Sequence, residues 1–221
     1  MVPDQGGRIR GYTSGDARQY MLADSRGGKW LTTLGKTFEE IDAGLTEWIG
    51  KQPLFFVSTA PLAADGHVNC SPKGLDSLRV VGPREVAWLD LTGSGAETIA
   101  HLKENGRIVL MFCAFSGPPR IVRLHGMGTV LEAGGAGFEA LRDEFPPLPG
   151  ARSIIRVAVT RIADSCGYAV PRMRLEGDRD VLERWAEKRG EAGLVSYRQR
   201  NNARSLDGLP ALSNPETDQG D

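Results

Sequence analysis

Apolar residues first recur at helical spacing over Phe38, Ile41, Leu45, Trp48 and Ile49, which together make one face. Thr37 and Glu40 stand three apart at its start, the spacing of a capping box, so a helix is expected from there to just before Pro53. From Leu54 the period shortens to that of strands. Leu54 to Ala60 is an apolar, β-rich run, Asp65-Gly66 is a tight-turn pair, and His67 to Ser71 reads as the returning strand. Leu78 to Val81 is another short strand, closed by Gly82-Pro83. In Glu85 to Leu91, Val86 and Trp88 fall on one side and Ala87, Leu89 and Leu91 on the other. Ser94 and Glu97 repeat the capping-box spacing and open a short helix through Asn105, with Gly106 placed as its C-terminal cap. Arg107 to Phe115 and Arg120 to Glu132 predict long neighbouring strands joined by Ser116-Gly117-Pro118-Pro119. Phe138 to Phe145 reads as a helix stopped by prolines, and Ser153 to Ile162 alternates strongly as the last long strand. Asp178 to Asn201 is helical in pattern, with Val181, Leu182 and Trp185 facing inward.

Six or seven strands thus fall mostly in one block, without the strand-helix alternation of a parallel sheet. The expected fold class is α+β: a mainly antiparallel barrel with peripheral helices. Residues 1–36 are rich in Gly, Arg, Asp and Ser without a sustained period, and read as an arm that packs loosely or wraps a partner subunit. Residues 37–164 form the barrel domain and 165–221 a helical extension that packs on the barrel or on the partner.

Composition narrows the function classes. The 221 residues carry 27 Lys and Arg against 28 Asp and Glu, so the net charge of -1 lacks the basic excess of a nucleic-acid or membrane-surface protein. The longest apolar run, Ile108 to Phe115, is far too short to span a bilayer. The opening residues do not read as a secretory signal, and Cys70, Cys113 and Cys166 are odd in number with no CxxC, so a reducing cytoplasm is expected. All three read as packing residues, Cys70 and Cys113 as buried fillers of strands. His67, His101 and His125 have no partner at ligand spacing, so no metal site is expected, and no nucleophile motif of a hydrolase occurs.

One segment speaks for an anion. Thr92-Gly93-Ser94-Gly95-Ala96-Glu97-Thr98 lies between a strand and a helix, where glycines let backbone N–H groups approach a phosphate and the helix dipole favours it. Ser94 and Thr98 add hydroxyl donors, while Glu97 opposes an anion unless it turns back to cap. A dinucleotide fold is excluded by context, since no acidic residue ends the next strand and no second βαβ unit follows. Lys73, after Asn69 and Ser71, and one of Arg120 and Arg123 are the cations placed to assist.

The series Asn69-Cys70-Ser71-Pro72-Lys73-Gly74, Trp88-Leu89-Asp90-Leu91-Thr92-Gly93, Thr98, Leu102 to Arg107 and Arg120-Ile121-Val122-Arg123-Leu124-His125-Gly126 resembles the pyridoxamine 5'-phosphate oxidase-like superfamily of flavin-binding split barrels. The resemblance covers roughly Phe38 to Ile162. The endings Ser165 to Pro171 and Asn202 to Pro210 are similar to one branch of it whose substrates are mostly uncharacterised. It implies a homodimeric split β-barrel with flavin mononucleotide (FMN) at the subunit interface, its phosphate near Ser71, Lys73 and Thr98 and its ring near Trp88, Leu89 and Asp90. Asn69, Ser94, Arg120 and Arg123 complete the candidate cofactor-binding set, with Arg120 or Arg123 the candidate to stabilise the reduced flavin, which is anionic near N1. The oxidase proper carries an Arg-Lys pair where this chain has Gly95-Ala96-Glu97, and a Gln where it has Ile121, and its C-terminal substrate signature is replaced by Ser205 to Pro210. The implied activity is therefore an FMN-dependent oxidoreductase on another small molecule. A non-catalytic flavin or haem binder, or a reductase using the deazaflavin F420, are the alternatives on the same fold.

Overall fold

The computed structural model describes residues 18–23 and 29–213. Of the expected N-terminal arm, residues 1–17 and 24–28 lie outside the described residues. Within it, β1 (Arg18–Ala23) and β2 (Lys29–Leu34) pair antiparallel, Arg18 opposite Leu34 and Ala23 opposite Lys29. The residues that follow build one eight-stranded antiparallel sheet: β3 (Thr37–Phe38), β4 (Phe55–Thr59), β5 (Asn69–Lys73), β6 (Leu78–Gly82), β7 (Glu85–Leu91), β8 (Arg107–Cys113), β9 (Ile121–Glu132) and β10 (Ala151–Ser165). The order is β5-β4-β8-β9-β10-β7-β6, with β3 on β10, and no ladder closes β5 onto β6. The molecule is an α+β split barrel, with more strands than the pattern alone predicts.

β10 is the hinge of this arrangement. Along one edge it pairs with β9 from Ser153 to Ser165, and along the other first with β7 and then with β3. A register shift between Val159 and Arg161 bends it, and Gly126 of β9 lies opposite Val159. A Cβ on Gly126 would come within 2.3 Å of the Ala158 carbonyl oxygen, so only glycine admits the approach.

The two-residue period in β7 sorts its side chains as expected. Val86 and Trp88 enter the main core with Val57, Leu110, Phe112, Ile155 and Val157, while Ala87 and Leu89 join a smaller cluster with Ile154, Phe138 and Phe145. Helix α1 (Ala43–Gly50) covers the main core with Leu45 and Ile49. It starts later than the Thr37–Glu40 spacing predicts, because Thr37 and Phe38 are held by Ala163 and Ile162 of β10. The cap is Asp42, whose Oδ1 accepts from the Leu45 N–H at 2.7 Å. Helix α2 (Glu97–Asn105) also lacks its predicted box: its N-cap is Ala96, with no side-chain cap, and the Glu97 carboxylate accepts instead from the Leu206 N–H. Gly106 does close α2 in the left-handed region at φ 71°. Helix α3 (Ala136–Arg142) is shorter than the pattern suggests and lays Phe138 on the smaller cluster.

After β10 the chain runs without regular structure to α4 (Val181–Asn201), which breaks at Gly190 (φ 64°, ψ 172°). A straight helix would hold Trp185 and Tyr197 about 18 Å apart. Their ring centroids are 5.0 Å apart, edge to face, because the break folds the halves together, and the Arg189 guanidinium lies over both rings. Of the expected inner face, Leu182 and Trp185 are half-buried but Val181 is exposed, and Ala186 and Leu194 are the buried positions. The segment beyond α4 returns to the barrel, with Ala211 in the main core and Leu209 and Leu212 packed against it.

Candidate functional site

A cavity of about 690 Å³ opens between β5, the end of β7, the start of α2 and residues 173–182. Its size suits a cofactor or small substrate. Asn69, Ser71 and Lys73 are the half-buried positions of β5, alternating with exposed Cys70 and Pro72. Cys70 is thus not the buried filler the sequence suggests, and Cys166 is exposed as well; Cys113 is buried. β5 is an edge strand, where Pro72 costs no ladder bond.

A polar chain leads from the cavity wall into the core. Ser71 donates to Asn69 Oδ1 at 2.9 Å, and Asn69 Nδ2 donates to Thr98 Oγ1 at 3.0 Å and to Thr59 Oγ1 at 3.2 Å. Thr59 in turn bonds Nδ1 of the buried His101 at 2.9 Å. Burial pushes the His101 pKa down, which keeps the imidazole neutral at pH 7.

Ser94 and Thr98 line the cavity together with Gly93, Gly95, Ala96 and Glu97, so the uncapped start of α2 faces it, with the Glu97 carboxylate lying over Gly95. A helix start without a side-chain cap leaves N–H groups and a partial positive charge for an anion.

Beside them lies a charged cluster. Asp90 is 2% exposed and meets Lys73 Nζ at 3.2 Å through Oδ1 and Arg152 Nε at 2.7 Å through Oδ2. Burial acts against its ionised form, but the two cations outweigh it and hold the carboxyl below the usual range. Arg152 is 5% exposed, lines the cavity, and has no hydrogen-bond partner at Nη1. The apolar wall comes from Leu54, Leu75, Leu89 and Leu91. Hydroxyls, an uncapped helix start, a cationic cluster with an orphaned guanidinium nitrogen, and a leucine wall form a donor set that fits a phosphorylated ring.

Of the residues singled out in the sequence, Ser71, Lys73, Leu89, Ser94 and Thr98 line this cavity, and Asn69 and Asp90 bond residues that do. Trp88 does not, because the period of two that turns Leu89 toward the cavity sends Trp88 into the barrel, fully buried against Phe55. Arg120 and Arg123 lie elsewhere. Arg120 pairs with Asp164 at 3.2 Å and stacks over Phe38 and Trp48, and Arg123 bonds Ser165 Oγ at 2.9 Å. Two contributions were missed. Residues 173–179 form one wall, tied down where the Met173 N–H bonds the Phe115 carbonyl at 3.0 Å. Arg152 stands one residue ahead of the predicted strand; Ala151 pairs with Leu91 and Ser153 with Asp90, so Arg152 is the extra residue of a β-bulge, a device that re-aims a side chain. Among the described residues no three His, Cys, Asp or Glu converge as for a metal ion, and no helix is long and apolar enough to cross a membrane.

Comparison with known proteins accords with this architecture. The family model of pyridoxamine 5'-phosphate oxidase matches residues 41–166, more than half of the chain. The pyridoxamine 5'-phosphate oxidase family protein ustO of Aspergillus flavus is 41% identical over 203 residues, 83% of this chain and 80% of that protein. Among solved structures, HupZ of Group A Streptococcus is 21% identical over 56% of this chain and 98% of its own, with a TM-score of 0.44. An FMN-binding protein from Syntrophomonas wolfei subsp. wolfei is 17% identical over 61% and 91%, with a TM-score of 0.40. On the family match and the identity to ustO, the chain belongs to the pyridoxamine 5'-phosphate oxidase family.

Proposed function

We propose that this protein is an FMN-dependent oxidoreductase that acts on a small molecule as a homodimer, the partner subunit completing the cofactor pocket. The observation that carries this reading is the joining of a phosphate donor set to an apolar wall in one cavity. Thr98, Ser94 and the start of α2 would hold the phosphate, and Leu89 and Leu91 would pack against the ring. Hydrogen-bond directions assign the donor. The Ser71 proton is engaged by Asn69, whereas Thr98 Oγ1 accepts from Asn69 and keeps its own proton for a ligand oxygen. Glycine and alanine at positions 95 and 96 leave the task to backbone N–H groups, where the oxidase proper has an Arg-Lys pair. The substrate is assigned outside pyridoxamine phosphate because the oxidase's C-terminal substrate signature is replaced here by Ser205 to Pro210.

Bound FMN supplies hydride-transfer chemistry, and the chain supplies binding, orientation and electrostatics. This division accords with a cavity wall of hydroxyls, cations, leucines and the two carboxylates Glu97 and Asp178. The cytoplasm remains the proposed compartment, on the unpaired cysteines. The absorption spectrum of freshly purified protein tests the reading. Oxidised-flavin bands are expected, with the mononucleotide released on denaturation. Colourless protein that also fails to bind added FMN would overturn it.

A further inference from the structure

Two cations share one carboxylate in the wall of the cavity. Lys73 and Arg152 both meet Asp90, so the cluster carries one unbalanced positive charge, and Arg152 Nη1 lacks a hydrogen-bond partner. A buried charge without a counter-charge is costly, so a cavity wall of this kind favours a ligand that brings negative charge to it. The phosphate position lies toward the other end of β5. Asn69 bonds Thr98 and Lys73 bonds Asp90, and four residues of strand separate the two by about 13 Å. A flavin with its phosphate at Thr98 therefore brings its ring toward Lys73 and Arg152.

We infer that Arg152 meets the negative charge that the flavin ring takes up on reduction, a role that rests on the flavin reading above. The neutral oxidised ring accepts two electrons and one proton and becomes a reduced ring with one negative charge. That charge is the missing counter-ion of the cluster. Arg152 then binds reduced flavin more tightly than oxidised flavin and raises the midpoint potential. The bulge that sets Arg152 out of register with Leu91 and Asp90 serves to aim it. Sequence reading assigned this role to Arg120 or Arg123, which are paired with Asp164 and Ser165 away from the cavity.

The test uses the full chain loaded with FMN, with dithionite as reductant and no substrate. In Arg152→Met, oxidised FMN and riboflavin should change in affinity by the same factor, while reduced flavin weakens at least tenfold more, a midpoint lowered by about 30 mV or more. Arg152→Lys should restore most of the shift. Wild type alone gives a second readout that needs no variant: with one proton per two electrons, its midpoint falls by about 30 mV per pH unit across the neutral range. A slope of about 59 mV, meaning a neutral reduced ring, would overturn the inference. So would an unchanged midpoint in a folded Arg152→Met, which would assign the charge to an anion other than reduced flavin. Loss of oxidised FMN but not riboflavin would assign Arg152 to the phosphate and overturn it as well. Wild type that binds neither flavin would refute the flavin reading itself, and this role with it.

Discussion

Asp90 is the residue on which the cavity's electrostatics turn, since it is the shared partner of Lys73 and Arg152. Asp90→Asn removes the one negative charge between two cations of which Arg152 is buried, and should cost about 3–5 kcal/mol of stability, read as a lower urea midpoint. A change under about 1 kcal/mol would mean that water or another group already balances the pair. Thr98 is the residue proposed to donate to the phosphate, since its Oγ1 accepts from Asn69. Thr98→Val keeps the shape and removes one hydrogen bond to a charged group, worth about 1.5–3 kcal/mol, so FMN should bind at least tenfold more weakly. Riboflavin should bind as to wild type, and equal losses for both would take Thr98 off the phosphate.

At the scale of elements, the loop after α4 fastens the start of α2. The His67 imidazole meets Asp207 Oδ1 at 2.6 Å, the His67 N–H donates to Asp207 Oδ2 at 2.8 Å, and the Leu206 N–H donates to Glu97 at 3.3 Å. The hydrogen bond and charge of Asp207 raise the His67 pKa above its ordinary 6.5, and the same contact lowers that of Asp207 from 3.8. A raised histidine pKa gives stability that is fully present below 6.5 and lost as pH rises through the higher folded value. The lowered aspartate adds stability present above 3.8 and lost as pH falls through its lower folded value. The loop should therefore be tightest between those two values and loosen on the alkaline side. Hydrogen exchange at Leu206 and Leu209, corrected for intrinsic rates, should accelerate there, and His67→Ala should flatten the profile. A flat profile in wild type would show that Asp207 does not act as the latch.

The whole molecule is proposed to be half of its working unit. Exposed Met173, Leu175 and Val181 lie by the cavity wall, an apolar surface that the partner would cover in the proposed dimer. Light scattering on the purified protein should give twice the 23.9 kDa chain mass, and Leu175→Glu should shift it toward the monomer. A monomer that still binds FMN tightly would refute the shared pocket. Much of the architecture was legible beforehand because local patterns encode it. The alternation in β7, the glycine cap at Gly106 and the run from Thr92 to Thr98 are properties of neighbouring residues, and they appear where periodicity and turn chemistry put them. Strand order, the delayed start of α1 and the fold-back at Gly190 depend on partners far away in the chain. The site divides in the same way. Ser71, Lys73, Ser94 and Thr98 are carried by short local motifs, so the sequence alone determined their grouping, and they line one cavity. Trp88 left them by the local alternation of β7, but Arg152 joined them only through a register shift against β7, and Arg120 and Arg123 are held elsewhere by Asp164 and Ser165. Such choices rest on contacts between residues distant in sequence, which no local pattern contains.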